Sequence, residues 1–379
     1  DAKPAEGPDS MMQANVFRLS MAHPGDLSAL EQLMTAGTVR AADIIAIIGK
    51  TEGNGGVNDF TRGYFTQTLM ALLSKHLDRP AAQVIGDRLY GRGVTDMKSF
   101  GATALMMVPE LLKRGLKRPV HLAFSYDEEV GCLGVRGLLA QLAATPVKPL
   151  ACIVGEPTGM VPAIAHKGVY RWRCCVKGHA AHSSLTPQSV NAIEVGARVV
   201  GKLTDMAEHF RDHGPRYEGF DVPYTTGSVG VIEGGIADNI VPADCRFHYE
   251  FRNLPGSDAE PMQAEVLAFA AAMEPAMKRV APEAGIGFET ICAMPSFLAP
   301  ANDVAVLLAR RLAESEQTTL VAFGTEAGLF QRAGIPTVVC GPGHIAQAHQ
   351  ADEYVSLAQL AQCERFLQGL AAVGAEALR

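Results

Sequence analysis

Between residues 101 and 115 apolar side chains recur at helical spacing. A strand-like apolar run follows at 120–125, then a second helical stretch at 135–142 and a buried-strand pattern at 150–155. This alternation of periods predicts α/β layering around a largely parallel sheet. Beyond residue 162 the rhythm changes: strand at 168–177, long helix at 190–210, strands at 227–232 and 245–252, helix at 259–280 and strand at 286–294. Strand, helix, two strands, helix, strand is the order of a ferredoxin-like α+β unit. The α/β pattern resumes with a helix from residue 303 to about 316, a buried strand at 337–340 and a terminal helix after Ser356. Upstream, strands are predicted at 16–20 and 43–48 and helices at 26–36 and 64–76. The simplest division is a linker or tag over 1–11, a separate segment over 12–85, one α/β domain made of 86–162 and 296–379, and an α+β insertion over 163–295.

Composition narrows the class. The 379 residues are 48% hydrophobic and 19% charged, which excludes disordered and collagen-like chains. The net charge of −7, without a basic run, gives no footprint for nucleic acid or an anionic membrane. With no apolar run of membrane-spanning length and no signal-like N-terminus, the expected location is cytoplasmic. Eight cysteines without a CxxC pair read as reduced, packed thiols.

Candidate chemistry sits where α/β sheets place it, at strand ends. Asp96 lies in a polar turn before a helix, Glu128 and Glu129 follow one predicted strand, Glu156 follows the next, and His349 lies in a loop after the strand at 337–340. Carboxylates with an imidazole suit a divalent cation such as Zn²⁺. A carboxylate left outside the coordination shell can then take a proton from water. The glycine-rich stretch 49–56 lacks the spacing of a phosphate-binding loop.

Five ordered motifs sharpen this picture: Gly91-Arg-Gly-Val-Thr-Asp-Met-Lys98, Ser125-Tyr-Asp-Glu-Glu-Val-Gly-Cys-Leu-Gly134, Gly155-Glu-Pro-Thr158, Gly178-His-Ala-Ala-His-Ser-Ser184 and Ala348-His-Gln-Ala-Asp-Glu-Tyr-Val355. Together, from about residue 86 to the C-terminus, they resemble the acetylornithine deacetylase branch of the di-zinc aminoacylase and carboxypeptidase family. The resemblance implies a zinc-exopeptidase-like α/β catalytic domain with an inserted ferredoxin-like lid, through which the chain forms a homodimer. It implies zinc, or cobalt, at two ions per chain in the family and one or two here. Asp96 would bridge the metals, Glu129 and His349 would hold one, Glu156 the other, and Glu128 would be the general base. His182 would stabilise the oxyanion, and Asn239, Arg252 and Thr325 would contact substrate, a small N-acyl amino acid such as N-acetylornithine in arginine biosynthesis.

The family also carries an upstream His-x-Asp that completes the first metal. Here the one such triplet is His76-Leu-Asp78, at the end of a predicted helix. In place of the family's start, residues 12–84, above all Gly49-Lys-Thr-Glu-Gly-Asn-Gly-Gly-Val-Asn-Asp-Phe-Thr-Arg62, are similar to the ring-opening amidohydrolases, the cyanuric acid hydrolase and barbiturase family. Lys50 matches that family's first lysine, while the Ser-Gly-Gly segment and the two further units are absent. The chain therefore reads as a fusion, joined near residues 84–86. Two alternatives stand beside the deacylase: ring opening of cyanuric acid or barbiturate through Lys50, and a catalytically impaired fusion acting as a binding module.

Overall fold

The computed structural model describes residues 17–18, 82–145 and 149–375. The expected elements at 26–36, 43–48 and 64–76, together with Lys50, His76 and Asp78, lie outside the described residues. Two compact units emerge, one holding the described residues up to Ile164 with Ala299–Thr319 and the chain from Phe330, the other Ala165–Leu298 with Leu320–Leu329.

In the first unit, Cys152–Val154 and Thr337–Val339 run side by side in parallel, with Val154 opposite Val339. Thr337–Val339 also pairs antiparallel with Ala163–His166, which pairs antiparallel with Phe297–Leu298, so this sheet is more mixed than the α/β alternation predicts. Gln83–Ile85 and Arg88–Tyr90 form a hairpin whose turn uses Gly86 at φ 61°, and Tyr354–Ser356 adds a third strand. Phe17–Arg18 pairs antiparallel with Ala123–Phe124, all that remains of the longer strand expected at 120–125. The helix expected at 101–115 is two, Ser99–Met106 and Val108–Lys113. Pro109 has no N–H to carry the ladder across, so the helix breaks at Met107. Val135–Ala143, Val304–Leu312 and Leu357–Ala375 are further helices of the first unit.

The second unit is a four-stranded antiparallel sheet in the order Gly285–Met294, Val169–Lys177, Asp244–Arg252, Thr226–Gly234. With helices Ala192–His213 and Glu260–Val280 between its strands, this is the ferredoxin-like order. Period-two alternation explains the layering. Tyr170, Trp172, Cys174 and Val176 on one strand, and Cys245, Phe247, Tyr249 and Phe251 on its neighbour, all enter one core. Val195, Val199, Leu203 and Val266 close it from the helices, each fully buried side chain contributing about 1.5–3 kcal/mol. Asn191 caps the first helix by accepting from the Ile193 and Glu194 amides.

The eight cysteines are free thiols. Among the described residues no helix is long and apolar enough to cross a membrane.

Candidate metal centre

Three loops of the first unit assemble the site. The first, Gly91 to Ser99, leaves the hairpin strand and turns through Gly93 at φ 73°, and its Asp96–Met97 peptide is cis. One residue organises it. Glu353, 2% exposed, accepts from the backbone amides of Gly93 (2.8 Å), Thr95 (2.9 Å) and Asp96 (3.3 Å), and its second oxygen also meets Arg92 Nη1 at 3.3 Å. Thr95 Oγ1 adds a bond to the Tyr354 carbonyl at 2.6 Å. A carboxylate facing successive amides satisfies donors that no ladder reaches.

The second loop runs from Tyr126 to Gly134 and folds on itself. Gly131 and Cys132 donate to the Glu128 carbonyl, Leu133 to Asp127 and Gly134 to Tyr126. Cys132 is fully buried beneath the loop and its Sγ donates to Glu128 Oε1 at 3.6 Å. Glu128 is thereby held half-buried while its neighbour Glu129 points to solvent. In the third loop His349 adopts a left-handed backbone, φ 57°, a region that histidine enters more readily than most residues other than glycine.

These loops bring Asp96, Glu129 and His349 together, with ligand atoms all within 4.8 Å of one another. His349 Nε2 stands 3.1 Å from Asp96 Oδ2 and 3.2 Å from Glu129 Oε1. Partial burial acts to lower the His349 imidazole, but the Glu129 and Asp96 carboxylates outweigh it and hold the group above the ordinary histidine value. Among the described residues this is the one group of three such donors. Two carboxylates and an imidazole fit a borderline divalent ion, and three protein ligands leave coordination positions open to water or substrate.

Glu156 is buried at the end of the parallel strand and lies outside that group of three. Its backbone is fixed by a glycine contact: a Cβ on Gly341 would meet the Gly155 carbonyl oxygen at 2.0 Å. The second unit carries the other expected site residues. His182 is exposed, with Nδ1 2.9 Å from Ser184 Oγ and its backbone bridged to Ile240. Asn239 is exposed, and its carbonyl accepts from the Ser183 amide at 3.0 Å. Arg252 Nε donates to Glu250 Oε1 at 2.9 Å, while Arg171 takes the other oxygen at 3.0 Å. Burial works to raise Glu250, yet the two guanidiniums bring it below the usual carboxylate value. Thr325 is fully buried, its hydroxyl accepting from the Ala327 amide at 3.0 Å.

Glu353 is the residue that the sequence reading missed. It sits four residues after His349, beside Asp352, with nothing in the local pattern to tell which acid turns inward.

Residues 73–372 match the model of peptidase family M20/M25/M40, and residues 15–97 match that of an amidohydrolase ring-opening family. The two matches overlap over 73–97. An acetylornithine deacetylase of Klebsiella pneumoniae is 34% identical over 272 residues, 71% of this chain and 68% of its own. One from Myxococcus xanthus is 34% identical over 288 residues, 74% and 71% of the two chains. The fold is similar to that of an M20 family metallo-carboxypeptidase from Sulfolobus solfataricus, with TM-score 0.59 at 18% identity over 79% of this chain and 80% of that one. A match over most of its length, with two relatives at 34% identity, places the chain in peptidase family M20/M25/M40, as a metal-dependent hydrolase.

Proposed function

We propose that the chain is a zinc-dependent deacylase that hydrolyses the amide of an N-acyl amino acid of the N-acetylornithine type, as in arginine biosynthesis. The convergence of Asp96, Glu129 and His349 carries the reading, and the two deacetylase relatives supply the substrate class. Asp96, Glu129 and His349 would hold one ion, with Asp96 shared and Glu156 serving a second. A bound zinc supplies a Lewis acid that acidifies water and polarises an acyl oxygen.

The chain's own groups do the rest. Glu128 accepts the proton of the attacking water and passes it to the departing amine. His182 donates to the developing oxyanion. Arg252 receives the substrate carboxylate, with Asn239 and Thr325 in supporting contacts. In this reading the second unit also carries the surface through which two copies pair.

The test is acetate release from N-acetylornithine by protein of known zinc content, with and without chelator. Chelator-sensitive hydrolysis that Glu128→Gln abolishes while zinc is retained is expected. A Glu128→Gln protein that still hydrolyses the substrate overturns the mechanism. Zinc content per chain by elemental mass spectrometry adds a second axis. Two ions mean that a residue from the N-terminal segment completes the set, one means the Asp96–Glu129–His349 group alone, and none favours an impaired binding module. The match over residues 15–97 favours one further reading, ring opening of cyanuric acid or barbiturate. It predicts a chelator-insensitive activity that Lys50→Ala removes.

A further inference from the structure

His209 and His213 stand one turn apart at the C-terminal end of the helix Ala192–His213, and both are exposed. Residues four apart on a helix share a face. Here the two imidazole rings meet on that face, with their centres 5.4 Å apart and their planes inclined at 49°.

Histidines in a last turn commonly serve its open carbonyls. Other groups already do so here. The Gly214 amide donates to the His209 and Phe210 carbonyls, at 3.1 Å each. The Arg216 guanidinium donates to the carbonyls of Phe210 at 3.0 Å and Gly214 at 2.9 Å, and also to that of Arg211. Asp212 is held by Arg211, through Nε at 2.8 Å and Nη2 at 3.0 Å. Among the described residues no hydrogen bond or salt bridge engages either imidazole. The His209 ring is nonetheless anchored. It stands edge-on to Phe210 at 6.2 Å between centres, and Phe210 packs edge-on against the buried Phe251 at 6.1 Å.

The ring separation fits one ion held between them. A ring nitrogen lies about 1.1–1.2 Å from its ring centre and a zinc–nitrogen bond adds about 2.0–2.1 Å, which puts each centre about 3.2 Å from the metal. At a tetrahedral angle two such rings have centres about 5.2 Å apart, against the 5.4 Å found here. A right-angled, octahedral pair would need about 4.5 Å. The negative end of the helix dipole favours a cation at the same place.

We propose that His209 and His213 form a binding site for a borderline divalent ion of the Zn²⁺ class, separate from the Asp96, Glu129 and His349 group, with water in the remaining positions. An ion bound there clips one turn to the next and protects the end of the helix from fraying.

Zinc uptake by the full chain, and by His209→Gln, His213→Gln and the double variant, tests this by equilibrium dialysis and elemental mass spectrometry. Each single variant should weaken the site at least about 10-fold, read as one ion fewer per chain at free zinc just sufficient to fill it in the wild type. Hydrogen exchange across residues 207–214 should slow when zinc is added to the wild type and stay unchanged in the double variant. His349→Gln, which removes a candidate ligand in the first unit, should leave that response intact. Glutamine is a good helix former, so these surface variants keep the fold. Equal zinc content in the wild type and all three histidine-pair variants overturns the proposal, as does an effect confined to one of the two histidines. Exchange that zinc slows equally in the wild type and the double variant also overturns it. The double variant then reports the zinc content of the first unit alone.

Discussion

Replacing Glu353 by alanine should loosen the metal centre without touching a ligand. The carboxylate holds the Gly93 and Thr95 amides at 2.8 and 2.9 Å and the Asp96 amide at 3.3 Å, from a position 2% exposed. Hydrogen bonds to a charged group contribute about 1.5–3 kcal/mol each, and water entering the vacated space recovers part of that. Counting the two short bonds at the lower bound gives a loss of about 3 kcal/mol. At about 2.1 cal/mol/K of unfolding entropy per residue, a chain of 379 residues loses roughly 4 °C of melting temperature for that amount. Loss of a group that orients a ligand weakens metal binding about 10- to 100-fold. Glu353→Gln should be nearly as damaging, because its amide N–H₂ would face one backbone donor. Thermal unfolding of the apo protein, with zinc titration against a competing chelator, reads both quantities. A Glu353→Ala protein that melts within about 2 °C of wild type and binds zinc equally well refutes the assignment of Glu353 as the anchor of the Asp96 loop.

Other predictions address separate parts of the molecule. Burial pushes His166 down from 6.5 to about 4, so the folded chain keeps it neutral while the unfolded chain protonates near 6.5. Its contribution is therefore full above pH 6.5 and lost as the pH falls toward 4, amounting to about 2 kcal/mol between pH 8 and pH 5. Urea unfolding should show that slope, and His166→Gln should flatten it. Gly341→Ala would drive a Cβ to 2.0 Å from the Gly155 carbonyl. It should cost more than about 3 kcal/mol, read as a lower melting temperature, because both partners are backbone and neither can step aside. Glu128→Gln should lower hydrolysis at least 100-fold or so with zinc content unchanged, since a general base contributes about 10²–10⁴ in rate.

The second unit was the most legible part of the sequence. In Arg171-Trp-Arg-Cys-Cys-Val-Lys177, Trp172, Cys174 and Val176 alternate with polar or partly exposed residues, and the strand forms with that face inward. The long helix reads clearly because its apolar stripe persists over Ala192–His213. The first unit was less legible. Its strands are short, two or three residues at Ala123–Phe124 and Cys152–Val154, and apolar runs do not mark where pairing stops. The break at Met107 was foreshadowed only by Pro109. Asp96, Glu129 and His349 stood out, with Glu128 and Glu156, by their places after predicted strand ends, and ordered motifs then tied them together, because nothing local connects side chains so distant in sequence. Glu353 illustrates the limit: its partner Gly93 is 260 residues away, and long-range pairing of a carboxylate with backbone has no periodic signature.

The separation in sequence between the candidate ligands also has a temporal meaning. Glu129 and His349 touch across 220 residues of chain. At a synthesis rate of about 5–20 residues per second, the acid waits roughly 10–40 s for its imidazole. Throughout that interval a nascent chain carries Asp96 and Glu129 without the nitrogen donor, so the three-residue group cannot be completed before residue 349 has been made. A product stopped just before residue 349 would keep both acids yet lack the imidazole that joins them, which makes the segment around His349 as decisive for assembling the group as the motifs around Asp96 and Glu129.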